Sequence, residues 1–129
     1  MRAKPGILLV DHNARNVELL SSFLREAGYR TEPVSTLDEL DRVLDAIRTA
    51  DVALALVDLT GFESSVWDRC RRLHEAGVAF VVIARQNVSP AGRDLFRQSH
   101  GAGAAHVLTK PLRKEQLLTL VRILTGADD

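Results

Sequence analysis

Two kinds of segment alternate along the chain. Short β-type runs at Ile7-Leu8-Leu9-Val10, Ala53–Val57, Phe80–Ile83 and His106–Leu108, with a weaker one at Arg30–Val34, end at polar or turn residues and predict strands. Between them, apolar residues recur at helical spacing. Val17, Leu20, Phe23 or Leu24, and Ala27 form one stripe, which stops at Gly28, a residue suited to the left-handed position after a helix. Leu37, Leu40, Leu44 and Ile47 form a second, opened by Thr36-Leu37-Asp38-Glu39, which fits a capping box. A third helix is expected from about Ser65 through Trp67, Cys70, Leu73 and His74 to Gly77. Ser89-Pro90 supplies an N-cap and a proline at the first helical position for a fourth, which fades near Ser99. The strongest stripe, Leu117, Leu118, Val121 and Leu124, ends at Gly126.

Five strands alternating with five helices predict an α/β fold with right-handed crossovers and a parallel sheet covered on both faces. Ala53-Leu54-Ala55-Leu56-Val57 agrees, because a strand buried on both sides is apolar without alternation. No internal repeat, low-complexity tract or linker breaks the pattern, and the Gly-rich stretch Ser99–Ala105 is short enough to be a turn. Residues 1–129 are therefore expected to be one domain, with its core at about 7–125 and no output domain in this chain.

Composition narrows the function classes. A chain of 129 residues, 46% of them hydrophobic, can bury a core without a disulfide or a structural metal. Its 17 Lys+Arg balance 17 Asp+Glu, so no general attraction to nucleic acid or acidic lipid is expected. One cysteine, Cys70, excludes an internal disulfide and fits a reducing compartment. The longest apolar stretches fall far short of a membrane span, and the basic start Met1-Arg2-Ala3-Lys4 leads into no signal-peptide core, so a cytoplasmic protein without membrane contact is expected.

Ligands of open α/β sheets gather beyond the carboxyl ends of the strands. The residues immediately after the strand runs are Asp11 and His12, Asp58, Ala84 and Arg85 after the fourth strand, and Thr109-Lys110-Pro111. Two carboxylates about 4 Å apart repel by about 4 kcal/mol at an effective dielectric of about 20, so a cation must hold them together. Lys110 can do so permanently and a divalent metal on demand. An aspartate so placed can attack phosphorus, giving an acyl phosphate whose charge lysine and metal stabilise. No Ser/His/Asp order, Cys/His pair or Gly-rich phosphate loop competes with this set.

On Ile7-Leu8-Leu9-Val10-Asp11-His12-Asn13, Leu56-Val57-Asp58-Leu59 and Leu108-Thr109-Lys110-Pro111-Leu112, the chain resembles the response-regulator receiver domains of two-component signalling, essentially end to end. The resemblance implies a flavodoxin-like (βα)5 doubly wound sheet with strand order 2-1-3-4-5. It implies that Asp58 accepts phosphate from a phosphohistidine on a sensor histidine kinase or phosphotransfer protein. Asp11, Asp58 and the backbone carbonyl of Thr60 would help hold Mg2+, and Lys110 would bind the phosphoryl group. Output would pass by contact with another protein, and the only chemistry expected is phosphotransfer and dephosphorylation at Asp58 itself, so no enzyme with a separate substrate is expected.

The chain departs from that family at three positions. His12 stands where a second acid normally helps hold the metal; imidazole suits softer ions, so Mg2+ binding is expected to be weak and weaker still as His12 protonates, with Mn2+ or a softer metal as alternatives. Ala84 occupies the switch position of a Ser or Thr, and a methyl group donates no hydrogen bond; Arg85 beside it is a candidate to bind phosphate or pair with Asp58. Val107 replaces the switch aromatic, so rotamer toggling is unavailable. These changes also support a rival reading: a pseudo-receiver that binds a partner without phosphorylation. A cofactor-binding flavodoxin-like protein is a weaker third, since the first strand ends in Asp-His-Asn and not in a phosphate loop.

Other residues are expected to be structural. Cys70 is expected to be a partly buried thiol, Trp67 a packing residue, and Arg69-Cys70-Arg71-Arg72 a solvated face. His74, His100 and His106 have no metal-ligand spacing on one helix face.

Overall fold

The computed structural model describes residues 6–46, 51–60, 62, 65–85 (the side chain of Arg85 excepted) and 97–126. Five strands, β1 (Gly6–Val10), β2 (Arg30–Val34), β3 (Val52–Asp58), β4 (Ala79–Arg85) and β5 (His106–Lys110), form one parallel sheet in the order β2-β1-β3-β4-β5. Helices α1 (Ala14–Glu26), α2 (Leu37–Ala46) and α3 (Val66–Glu75), a helical segment at 97–101 (α4) and α5 (Lys114–Thr125) complete the described structure. This is the flavodoxin-like arrangement expected from the sequence.

Period-two geometry divides the central strands between two cores. Leu8, Val10, Ala55, Val57, Phe80 and Val82 face α2 and α3, where they meet Leu40, Leu44, Val66, Trp67, Cys70 and Leu73. Ile7, Leu9, Leu54, Leu56, Val81 and Ile83 face α1 and α5, where they meet Val17, Leu24, Leu117 and Val121. Both faces of β1, β3 and β4 are covered, which explains their unbroken apolar runs. The edge strands β2 and β5 carry exposed residues, and Pro33 in β2 is tolerated at such an edge.

Local signals set the helix ends. Asn13 Oδ1 accepts the Asn16 N–H at 3.1 Å to cap α1. Gly28, with φ 98°, takes the left-handed position after α1. At α2 the capping box forms with a difference: Thr36 Oγ1 accepts the Glu39 N–H at 3.1 Å, but the Glu39 carboxylate reaches one residue further back, to the Ser35 N–H at 3.2 Å. Helix α3 begins without a side-chain cap, and Ser65 already has helical dihedrals. The expected start at Ser89-Pro90 and the position of Ile47 lie outside the described residues. The described part of α4 runs on past Ser99 to 101, and Ala105 N–H then donates to Phe80 O at 2.8 Å, joining the turn to β4. Gly103 is required in this turn: its φ is 94°, and a Cβ there would lie 2.5 Å from His74 Nδ1.

Two expectations need correction. The Arg69-Cys70-Arg71-Arg72 stretch is not simply a solvated face. Arg69 forks onto Asp41 with Nε–Oδ1 and Nη2–Oδ2 contacts of 2.9 Å each, and Arg72 reaches Asp45 at 2.8 Å, so α3 is strapped to α2. The helix turn that points Cys70 inward leaves Arg69 and Arg72 beside the acidic face of α2. Cys70 is fully rather than partly buried, and burial pushes its thiol pKa up to about 12. No described helix is long and apolar enough to cross a membrane.

Candidate functional site

The site lies at the carboxyl edge of the central strands. Asp11 follows the last residue of β1 and Asp58 is the last of β3; these strands are hydrogen-bonded neighbours, so the two aspartates emerge side by side. Lys110 ends β5, two strands further along. The right-handed twist of the sheet and the length of the lysine side chain close that distance: Lys110 Nζ lies 2.7 Å from Asp58 Oδ2.

Each carboxylate is also tied to backbone. Asp58 Oδ1 accepts the Thr60 N–H at 2.9 Å, and Asp11 Oδ1 accepts the Asn13 N–H at 2.9 Å. Both are turns in which an aspartate bonds the N–H two residues on. They fix the carboxylates while leaving other lone pairs free. Asp58 is 5% exposed and Asp11 9%, and neither is in contact with bulk water over most of its surface.

Asp11 carries the electrostatic cost. Burial raises its pKa above the ordinary carboxylate value and the neighbouring Asp58 charge adds to that, against opposing effects from the Asn13 N–H, Lys110 and His12. Among the described residues the rim thus holds two carboxylates against one paired lysine. Among the described residues no Lys, Arg or His stands within ion-pair distance of Asp11.

The remaining expected site residues are placed differently. His12 is exposed, and its ring meets Phe62 edge-on, with centroids 5.5 Å apart and planes at 74°. Among the described residues no three His, Cys, Asp or Glu side chains converge as metal ligands, so the structure does not bring His12, Asp11 and Asp58 together as a soft-metal set. Ala84 is buried at the end of β4, in register with Thr109. Val107 is half-buried and packs with the α2–α3 core. The side chain of Arg85 lies outside the described residues; among the described residues the cation paired with Asp58 is Lys110.

A cleft of about 400 Å3, not foreseen above, runs from Asp11, Asp58 and Lys110 between α1 and α5. Its walls include Val17, Leu20, Phe23, Leu112 and Leu117. The available signal was the surplus of apolar residues on α1, where Leu19, Leu20, Phe23 and Leu24 exceed one buried stripe. Asn13, which caps α1 and orients Asp11 at once, was also missed, although Asp-x-Asn at a helix start is a local hydrogen-bonding pattern.

No protein-family model matches the sequence, and no curated protein matches it. Solved structures do. A CheY-like response regulator receiver domain from Methanospirillum hungatei superposes with TM-score 0.79 at 20% identity, covering 96% of this chain and 95% of that one. A response regulator from Thermotoga maritima gives 0.77 at 22% identity over 95% and 98% of the two chains. An orphan response regulator of H. pylori gives 0.76 at 16% identity over 97% and 99%. Nearly the whole length of this chain therefore has the fold of response-regulator receiver domains.

Proposed function

We propose that this chain is a phosphoacceptor receiver of two-component signalling, in which Asp58 is the residue phosphorylated. The observation that carries this reading is the contact of Lys110 Nζ with Asp58 Oδ2 at 2.7 Å on a rim that also holds Asp11. A carboxylate oxygen of Asp58 attacks the phosphorus of a phosphohistidine on a sensor histidine kinase or phosphotransfer protein. The P–O bond forms, the P–N bond breaks, and the departing imidazole keeps the electron pair and takes a proton from water. Lys110, already on the carboxylate, pairs with a phosphoryl oxygen as charge moves there. The Thr60 N–H holds the attacking carboxylate in place.

The donors at this rim fit a hard divalent ion. Asp11, Asp58 and the Thr60 carbonyl offer oxygen only, and Mg2+ is commonly held by one or two carboxylates while keeping several waters. When bound, the ion neutralises charge on the transferring phosphoryl group. With His12 turned to Phe62 where a further acid is usual, affinity for Mg2+ is expected to be weak, and Mn2+ is the better probe.

Ala84 favours a second reading, that of a pseudo-receiver whose partner docks without phosphorylation. A buried methyl group at the switch position donates no hydrogen bond to a phosphoryl oxygen. Output in either reading is contact with another protein. The test is incubation with acetyl phosphate or beryllofluoride plus Mg2+ or Mn2+, followed by mass spectrometry or NMR, with Asp58→Asn as control. An Asp58-dependent adduct or shift supports the phosphoacceptor; none in either metal sinks it and leaves the pseudo-receiver.

A further inference from the structure

We propose that the cleft between α1 and α5 binds a small amphipathic organic cation, its ammonium or amidinium head against Asp11 and its apolar body along the two helices. The proposal goes beyond the phosphoacceptor reading and does not need it, because it uses only the charge and shape of the cleft.

Shape comes first. A volume of about 400 Å3 falls within the range of small-molecule sites, and the lining has their usual make-up, apolar walls with a few convergent polar groups. The walls come from both helices, through Val17, Leu20 and Phe23 of α1 and Leu117 of α5. The floor is the sheet itself, at Leu9, Leu56 and Ile83. The cleft thus reaches below the helix surfaces, deeper than a face on which a partner helix would simply lie.

Charge then selects the occupant. Of the polar groups at the inner end, Asp58 and Lys110 satisfy each other at 2.7 Å. Asp11 remains, nine-tenths buried and, among the described residues, held only by the Asn13 N–H. An anionic head would have to enter against two carboxylates, and a neutral apolar molecule would strip water from Asp11 without replacing it. A cationic head supplies the missing charge and strengthens the hydrogen bond it makes. The other ammonium in the lining, that of Lys114, stands 5.6 Å from the centre of the Phe23 ring and makes no ion pair with Asp11 among the described residues. A divalent metal and an organic cation would both need Asp11, so each should exclude the other.

Phenylbutylamine is a suitable probe, with phenylbutyrate and phenylbutanol carrying the same tail and a negative or neutral head. Each is titrated into isotope-labelled protein without phosphodonor, and backbone amide shifts are followed by NMR. The amine should shift Val17, Leu20, Phe23 and Leu117, bind at least about tenfold more tightly than the acid, and be displaced by Mn2+. Asp11→Asn should remove its advantage over the alcohol, while a thermal melt confirms folding. Leu19→Lys, at a position 63% exposed on the rim of the cleft, should weaken the amine severalfold without touching the core. Equal or tighter binding of the acid, shifts confined to other surfaces, or an Asp11→Asn protein that binds the amine unchanged would each overturn the proposal. Failure of the phosphoacceptor reading would appear separately, as absence of an adduct on Asp58.

Discussion

On the α2–α3 side of the sheet, Trp67, Cys70, Leu73 and Phe80 are buried together, and Arg69 and Arg72 reach across to carboxylates of α2. On the α1–α5 side, Leu20, Phe23 and Leu117 stand around a cleft that ends at the carboxylates. The strands between them are the same, with alternate residues facing each way. The contrast separates two tasks. The closed side fixes β3 and β4, and with them the positions of Asp58 and its neighbours; the open side gives the same carboxylates a way out to a partner or ligand.

Deleting an equal side chain on each face should show this most strongly. Leu73→Ala, at a fully buried position in α3, should cost about 3 kcal/mol through lost transfer energy and an unfilled cavity. Leu20→Ala, on the wall of the cleft, removes the same atoms where water can enter, and about 1 kcal/mol is expected. Urea unfolding with matched slopes is the measurement. Equal costs would mean that the α1–α5 side is packed as tightly as the other.

How much of this was legible depended on the range of the interaction. The strand runs, the α1 and α5 stripes and the glycine stops are local, and the sheet formed around them as expected, down to Gly28 and Gly126 in left-handed conformations. Asp11, Asp58 and Lys110 were legible because sheet topology brings strand ends together without any detail of side chains. What escaped was set by pairing between elements. Nothing in Arg69-Cys70-Arg71-Arg72 says that Asp41 and Asp45 of another helix lie opposite, and nothing next to His12 in sequence says that its ring will meet Phe62. The cleft escaped for the same reason, since it is a gap between two helices far apart in sequence.

Asp11→Asn should bring the next effect and opposite in sign. Folding raises the pKa of Asp11, chiefly by burial, so its ionised form opposes the folded state. That penalty is fully present above the folded pKa, shrinks as pH falls through it and is gone below the unfolded value. The asparagine variant should therefore be more stable than the parent at neutral pH, by about 1 kcal/mol, as is common when a functional site is relieved of strain. The difference should vanish toward acid pH in paired urea titrations. A variant that is less stable at neutral pH would show that the open side is not the strained one.

The smallest effect belongs to the strap on the closed side. The Arg69 guanidinium, by its hydrogen bonds, holds the Asp41 carboxyl below the usual carboxylate range. A lowered folded pKa contributes stability that is present above the unfolded value and is lost as pH falls through the folded one. Asp41 is 34% exposed, so screening by water limits the contribution, and Asp41→Asn should cost about 1 kcal/mol or less, falling further in about 1 M salt, where the screening length is about 3 Å. The informative comparison is with the other face. If the closed side is a scaffold only, Asp41→Asn should leave phenylbutylamine binding and Asp58 labelling unchanged while lowering the melting temperature slightly. Should either fall with it, the strap is transmitting through β3 to the carboxylates, and the two faces are one coupled device.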